Sequence, residues 1–450
     1  MNAHNSARPA AVAPEPLAAL AAGLRSGSVN LRGYIEHALD RVDRFDGDVR
    51  ALLPEPGRRE RILAEAAALE ARYPDPAARP PLYGVLVGVK DIFAADGFET
   101  HAGSKLPAKL FAMPQGPVVT ELRKAGAIVL GKTVTTEFAY FAPGQTANPW
   151  DSTRTPGGSS SGSAAAVAAG FCSLALGTQT IGSISRPAAF CGISGWKPSY
   201  ERTSREGVVP FSPALDHVGL IAPEASGIAV AAPLITPDWN QASYDEAKAH
   251  YAKIRPILAI PEGPFLNQTE PAALAAFNVT VARLQGAGFS VVRTPTLQDI
   301  DDINDRHRRI AAAEMERTHR TWFPSHEKLY AQATRELIAK GVAIDDNELE
   351  LDKGGRKSLR ASLERDLEEA GADFWLSPAA LGPAPTGLDA TGSPLASLPW
   401  TNAGMPTLVL PTCQSVDGMP VGIQLAAPFW SDEKLLALGT VVEACLGVPH

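Results

Sequence analysis

Short runs that are apolar at nearly every position recur along this chain, at 85–89, 128–130, 174–176, 257–260, 290–292, 374–376, 407–410 and 421–425. A strand that is apolar throughout, rather than at alternate residues, must bury both of its faces. Between these runs lie stretches with helical periodicity, at 118–125, 272–285 and 357–370. Buried strands interleaved with amphipathic helices specify an α/β fold: a mixed, twisted sheet covered by helices on both faces. At 450 residues the chain is long enough for one large unit of this kind.

The first part of the chain reads differently. Leu17, Leu20 and Leu24 form one helical stripe, and Leu31, Ile35, Leu39 and Val42 form a second. Ser28 and Asn30 offer a helix start, and the proline-rich segment 73–81 ends the region. We therefore expect an N-terminal helical arm over 1–75 packing on an α/β domain over 76–450. Within that domain, 225–370 is expected to be a variable, helix-rich elaboration on the substrate side. Charge clusters at 306–309 and 345–350 suit a solvated helical surface or lid.

Composition removes several classes. A formal net charge of −8 and a pI near 5.7 disfavour a nucleic-acid surface. Cys172, Cys191, Cys413 and Cys445 are scattered and contain no CxxC pair, so neither a disulfide framework nor a zinc site is expected. The most apolar stretch, 164–177, is interrupted by Ser173 and falls short of the roughly 20 residues that a membrane span needs. A cytoplasmic protein with no membrane contact is the expectation. The 39 glycines and 38 prolines show no period, which points to turns and a backbone-rich loop rather than a fibrous or low-complexity chain.

Two motif matches fail on context. Gly126-Ala-Ile-Val-Leu-Gly131-Lys132-Thr133 satisfies the phosphate-loop pattern, but its middle residues read as a buried strand, which cannot also wrap a phosphate. Gly158-Ser-Ser160-Ser-Gly162 satisfies the nucleophile-elbow pattern, yet turn-forming residues precede it where a strand is required. After His326 the only later histidine is His450, which disfavours a triad histidine late in the chain, in the Ser, Asp, His order of that fold.

Three segments remain. Lys90 ends the apolar run Gly84-Val-Leu-Val-Gly-Val, where burial would lower its pKa and make it a proton acceptor; pairing with the adjacent Asp91 is the bland alternative. Gly157-Gly158-Ser159-Ser160-Ser161-Gly162-Ser163 leads into an alanine-rich helix that must pack closely. Gly177-Thr178-Gln179-Thr180-Ile181-Gly182-Ser183, followed by Ile184-Ser185-Arg186-Pro187, can present a serine beside several backbone N–H groups.

Together these segments resemble the amidase signature family of serine hydrolases. Leu215-Asp216-His217-Val218-Gly219, Asn402-Ala-Gly404-Met-Pro406 and Gly418-Met-Pro-Val-Gly422 support the likeness, which is strong over 80–222, looser over 15–72 and 372–445, and slight over 225–370. The resemblance implies a catalytic set of Lys90, Ser159 and Ser183: Ser183 as nucleophile, Ser159 after a cis peptide bond as bridge, and Lys90 as base. It also implies an oxyanion hole from the N–H groups of Thr180, Ile181, Gly182 and Ser183, and no metal or organic cofactor. Gln179, Ile181 and the position of Arg186 depart from the common family pattern, and Ile181 would narrow the pocket. The implied activity is hydrolysis of amide C–N bonds, extending to aryl amides, carbamates (as in urethane-cleaving members) or esters. A small-molecule amide or carbamate is the expected substrate and a homodimer the expected assembly. The alternatives are the glutaminase subunit of a tRNA-dependent amidotransferase, and a non-catalytic binding protein that retains the fold. His217 reads as a structural histidine. Trp196, Trp322, Trp375 and the aromatic cluster 138–141 divide between pocket lining and core.

Overall fold

The computed structural model describes residues 9–447. Among them, ten strands form one mixed sheet: β1 Leu86–Lys90, β2 Ile128–Thr133, β3 Leu174–Gln179, β4 Ser194–Lys197, β5 His217–Ala222, β6 Leu258–Glu262, β7 Val291–Pro295, β8 Phe374–Pro378, β9 Thr407–Val416 and β10 Met419–Ala426. Their order is β2-β1-β3-β5-β4-β9-β10-β8-β6-β7. β1 pairs parallel with β2 and β3, and β6 pairs parallel with β7 and β8. The middle of the sheet, from β3 through β5, β4, β9 and β10 to β8, is antiparallel.

All eight apolar runs are strands. β1 to β5 are buried at every position, as runs covered on both faces must be. β7 stands at the sheet edge and is largely open on one side. β4 and β5 escaped the sequence reading. β4 has only four residues, and the apolar run 218–222 of β5 reads with the motif Leu215–Gly219 rather than as a strand.

The N-terminal stripes are helices Leu17–Ser26 and Leu31–Val49, followed by Arg58–Arg72; Asn30 caps the second by accepting from the Gly33 N–H at 2.8 Å. In the segment 225–370, helices Ile300–His319 and Asp346–Glu369 carry the charge clusters, and helix Gln332–Val342 lies between them in sequence.

Helix Ser161–Ala168 lies inside the molecule with all eight residues buried. Its small side chains let neighbouring backbones close in. A Cβ at Gly162 would fall 2.3 Å from both the Ala51 carbonyl oxygen and the Val134 nitrogen, so only glycine fits there. β1 and β3 are parallel, so Lys90 and Gln179 end on the same side of the sheet, where loops from both strands meet.

Candidate active site

Lys90, fully buried, is the last residue of β1. Its Nζ lies 2.7 Å from Ser159 Oγ and 2.7 Å from Thr178 Oγ1, and among the described residues it makes no ion pair. Burial drives its pKa well below the ordinary lysine value, and the Asp216 carboxylate nearby partly offsets this. Burial thus favours the neutral amine over the ammonium. Asp91, its neighbour in sequence, points elsewhere: strand alternation sends it to the other face, where it pairs with Lys132 at 3.0 Å.

Ser159 follows a cis peptide bond from Gly158. Ser159 and Ser183 line one narrow cavity with Ala139, Tyr140, Phe141, Ile181, Arg186 and Pro394. The two serine hydroxyls share this cavity without a hydrogen bond between them; among the ties between their loops, the Ser160 N–H donates to the Ser183 carbonyl at 3.3 Å.

The loop 180–183 leaves β3 with its carbonyls occupied and its N–H groups unused. The carbonyl of Thr180 accepts from His307 Nε2 (3.0 Å), that of Ile181 from Thr401 Oγ1 (2.7 Å) and that of Gly182 from the Arg186 N–H (2.9 Å). No hydrogen bond among the described residues uses the N–H of Thr180, Ile181, Gly182 or Ser183. Four free donors in succession beside a serine are what an oxyanion site requires.

The three departures now have physical roles. Gln179 is fully buried, and its Oε1 accepts from the N–H groups of Ile184 (2.8 Å) and Ser185 (2.9 Å) while its Nε2 donates to Thr401 (3.0 Å). It braces the loop and does not line the cavity. Ile181 does line it, as its side chain was expected to. Arg186 donates to the Gly158 carbonyl (2.7 Å), the Gly392 carbonyl (2.8 Å) and Thr391 Oγ1 (3.0 Å), joining the serine loop to the segment near 391. With no carboxylate beside it, burial lowers its pKa to about 9.

A second cavity, of about 150 Å³, adjoins the first through Ala139 and is mostly apolar, with Ile92, Val208, Val209 and Phe211 in its wall. Thr178, Thr180, Arg205, Asp216 and His217 are the polar residues of its lining. Asp216 accepts from Thr180 Oγ1 (2.6 Å) and the N–H groups of Phe211 (2.9 Å) and Ser212 (3.0 Å); burial raises its pKa to about 6.

His217 is buried, and its Nδ1 faces the carbonyls of Leu215 (2.6 Å) and Gln179 (3.2 Å), a structural placement. Of the aromatic candidates, Tyr140 and Phe141 line the narrow cavity, whereas Trp196, Trp322, Trp375 and Phe138 pack in or against the core. Thr178, Thr401 and His307 were missed. Thr178 was visible only as part of a turn, and its nearness to Lys90 depends on the β1–β3 register. His307 lies over a hundred residues from the loop it touches and has no local signature.

Among the described residues, no helix is long and apolar enough to cross a membrane, and no cluster of three or more His, Cys, Asp or Glu is placed to hold a metal.

A single α/β domain with a mixed sheet, a buried lysine–serine pair and a loop of free N–H groups defines an amidase-type hydrolase fold. The family model described as Amidase matches residues 34–436, and the chain belongs to that family. A glutamyl-tRNA(Gln) amidotransferase subunit of Synechococcus sp. (strain RCC307) is 31% identical over 469 residues, covering 94% of this chain and 95% of its own. Among solved structures, one described as an amidase superposes with a TM-score of 0.84 at 30% identity, covering 96% of this chain and 100% of that one. The native peptide amidase from Stenotrophomonas maltophilia gives a TM-score of 0.84 at 26% identity, covering 97% of each chain.

Proposed function

We propose that this protein hydrolyses the C–N bond of small-molecule amides through an acyl-enzyme on Ser183, with Ser159 as proton bridge and Lys90 as base. The observation that carries this reading is the 2.7 Å contact between the buried, unpaired Lys90 Nζ and Ser159 Oγ beside Ser183 and four free N–H groups.

Ser183 Oγ adds to the carbonyl carbon; its proton passes to Ser159 Oγ, whose own proton passes to neutral Lys90. The π pair of the carbonyl moves onto oxygen, where the N–H groups of Thr180, Ile181, Gly182 and Ser183 receive it. As the tetrahedral species collapses, the C–N bond breaks and the nitrogen takes a proton back along the same relay. Water then attacks the ester, and its proton follows the same route before the acid leaves and Ser183 is restored. Substrate seated at Ser183 brings the two serine hydroxyls into contact, as catalytic bonds commonly tighten only on binding.

The cavity of about 150 Å³ has room for roughly one aromatic ring. This supports an aryl group on the substrate, and with it anilides, aryl carbamates and aryl esters.

The names of the relatives favour a second reading, the glutaminase subunit of a tRNA-dependent amidotransferase, which would need a protein partner. Against it, the narrow cavity at Ser183 contains Arg186 and no carboxylate, and Asp216 in the adjoining cavity is already engaged by Thr180 Oγ1 and the N–H groups of Phe211 and Ser212. A panel of anilides, aryl carbamates, esters and glutamine, ranked by kcat/KM on the purified chain, separates the two. Anilide turnover without a partner is expected. Turnover of glutamine alone, or none until a partner is added, would favour the second reading.

A further inference from the structure

We infer that His307 is a positioning residue that aims the Ile181 N–H into the oxyanion site. The inference rests on the reading of 180–183 as that site. In a trans peptide unit the C=O and the following N–H point in opposite directions. Gly158–Ser159 is the only cis bond among the described residues, so the unit joining Thr180 to Ile181 is trans. Holding the Thr180 carbonyl from one side therefore turns the Ile181 N–H to the other.

His307 holds it with Nε2 at 3.0 Å, while its Nδ1 faces the Asn402 Nδ2 at 3.2 Å. The two partners set the tautomer. A carbonyl accepts only from a protonated nitrogen, and the Asn402 amide donates only to an unprotonated one, so the imidazole is neutral with its proton on Nε2. Full burial and the nearby Arg356 lower its pKa to about 3, consistent with that assignment.

The neighbouring units are held in the same manner. Thr401 Oγ1 on the Ile181 carbonyl orients the Gly182 N–H, and the Arg186 N–H on the Gly182 carbonyl orients that of Ser183. Thr180 is also fixed through its side chain, by Asp216. Helix Ile300–His319 makes a second contact with the site one heptad later, where Glu314 Oε2 accepts from Ser212 Oγ (2.6 Å) and the Ala214 N–H (2.8 Å), next to Asp216. This face of the helix, in a segment that reads from sequence as solvated surface, is thus a brace behind the oxyanion loop.

The test compares His307→Leu, which fills the space without a donor, with His307→Gln, whose amide can still donate. His307→Leu should lower kcat for an anilide by about 10- to 100-fold, since a misaimed donor costs less than the ~10²–10³ of a deleted one. KM should stay within about 2-fold, because the oxyanion exists only in the transition state. His307→Gln should recover most of the loss. Asn402→Ala, which frees the tautomer, should give a smaller fall in kcat alone, and it carries the test should the Leu variant not fold.

Equal losses in Leu and Gln, a loss confined to KM, or a Leu variant with near-normal kcat would overturn the inference. Ser183→Ala run alongside separates the two levels. If Ser183→Ala is inactive and His307→Leu is normal, only the brace is wrong; if Ser183→Ala keeps its activity, the reading of the whole site fails.

Discussion

β1 and β2 lie side by side and each carries one buried lysine near its end, yet the two lysines have opposite surroundings. Lys90 faces the hydroxyls of Ser159 and Thr178, whereas Lys132 faces the Asp91 carboxylate, the carbonyls of Phe93 and Glu99, and Thr100 Oγ1. Register explains the split: Lys132 pairs across the sheet with Val89, so it shares a face with Val89 and Asp91, and Lys90 takes the other. Burial lowers the pKa of both. At Lys132 the attraction of Asp91 pulls back strongly; at Lys90 the counterweight is Asp216, and the pKa ends well below its ordinary value. In the proposed mechanism Lys90, in contact with hydroxyls, is the base, whereas Lys132, in contact with a carboxylate, is held as half of an ion pair.

The largest expected contrast is in chemistry. Lys90→Ala or Ser183→Ala should reduce kcat/KM by about 10⁴-fold or more while the protein stays folded. Near-normal turnover in either would break the assignment. Next comes stability. Lys132→Met leaves Asp91 buried without its cation and should cost about 3–5 kcal/mol in urea unfolding. Lys90→Met should remain within about 2 kcal/mol of wild type, since two hydroxyls lose a partner but no charge is stranded. Equal destabilisation by the two would erase the distinction between these lysines.

The smallest effect is in pH dependence. The proposed mechanism requires neutral Lys90, so the rate should rise with pH through a pKa well below that of a free lysine. The Asp216 charge holds that pKa up, so Asp216→Asn should move the rising limb to lower pH. A limb that stayed in place would remove Asp216 from the account. Stability follows the same sign: with its folded pKa depressed, Lys90 contributes stability that is present above the unfolded pKa of about 10.4 and is lost as pH falls from there through the folded pKa. Lys90→Met should flatten that slope.

Much of this was legible in the amino-acid sequence because it is local. Eight of the strands announced themselves as apolar runs, since burial favours apolar residues along a strand; β4 and β5, equally buried, did not. Asn30 signalled a helix start, and Gly162 stood in a run of small residues that only close packing requires. The segments around Lys90, Ser159 and Ser183 were recognisable for the same reason: each is a contiguous stretch of unusual residues.

Pairings across the chain were decided by tertiary structure alone. Whether Asp91 serves Lys90 or Lys132 depends on the face each takes in the sheet. Gln179 stood out only as a departure from the family pattern until the fold placed its amide against the N–H groups of Ile184 and Ser185. His307 looked like part of a charged, solvated helix, and its hydrogen bond to Thr180 spans 127 residues. Sequence periodicity specifies what a segment must bury. Which distant group it meets there is set by register and packing, and these exist only once the chain has closed on itself.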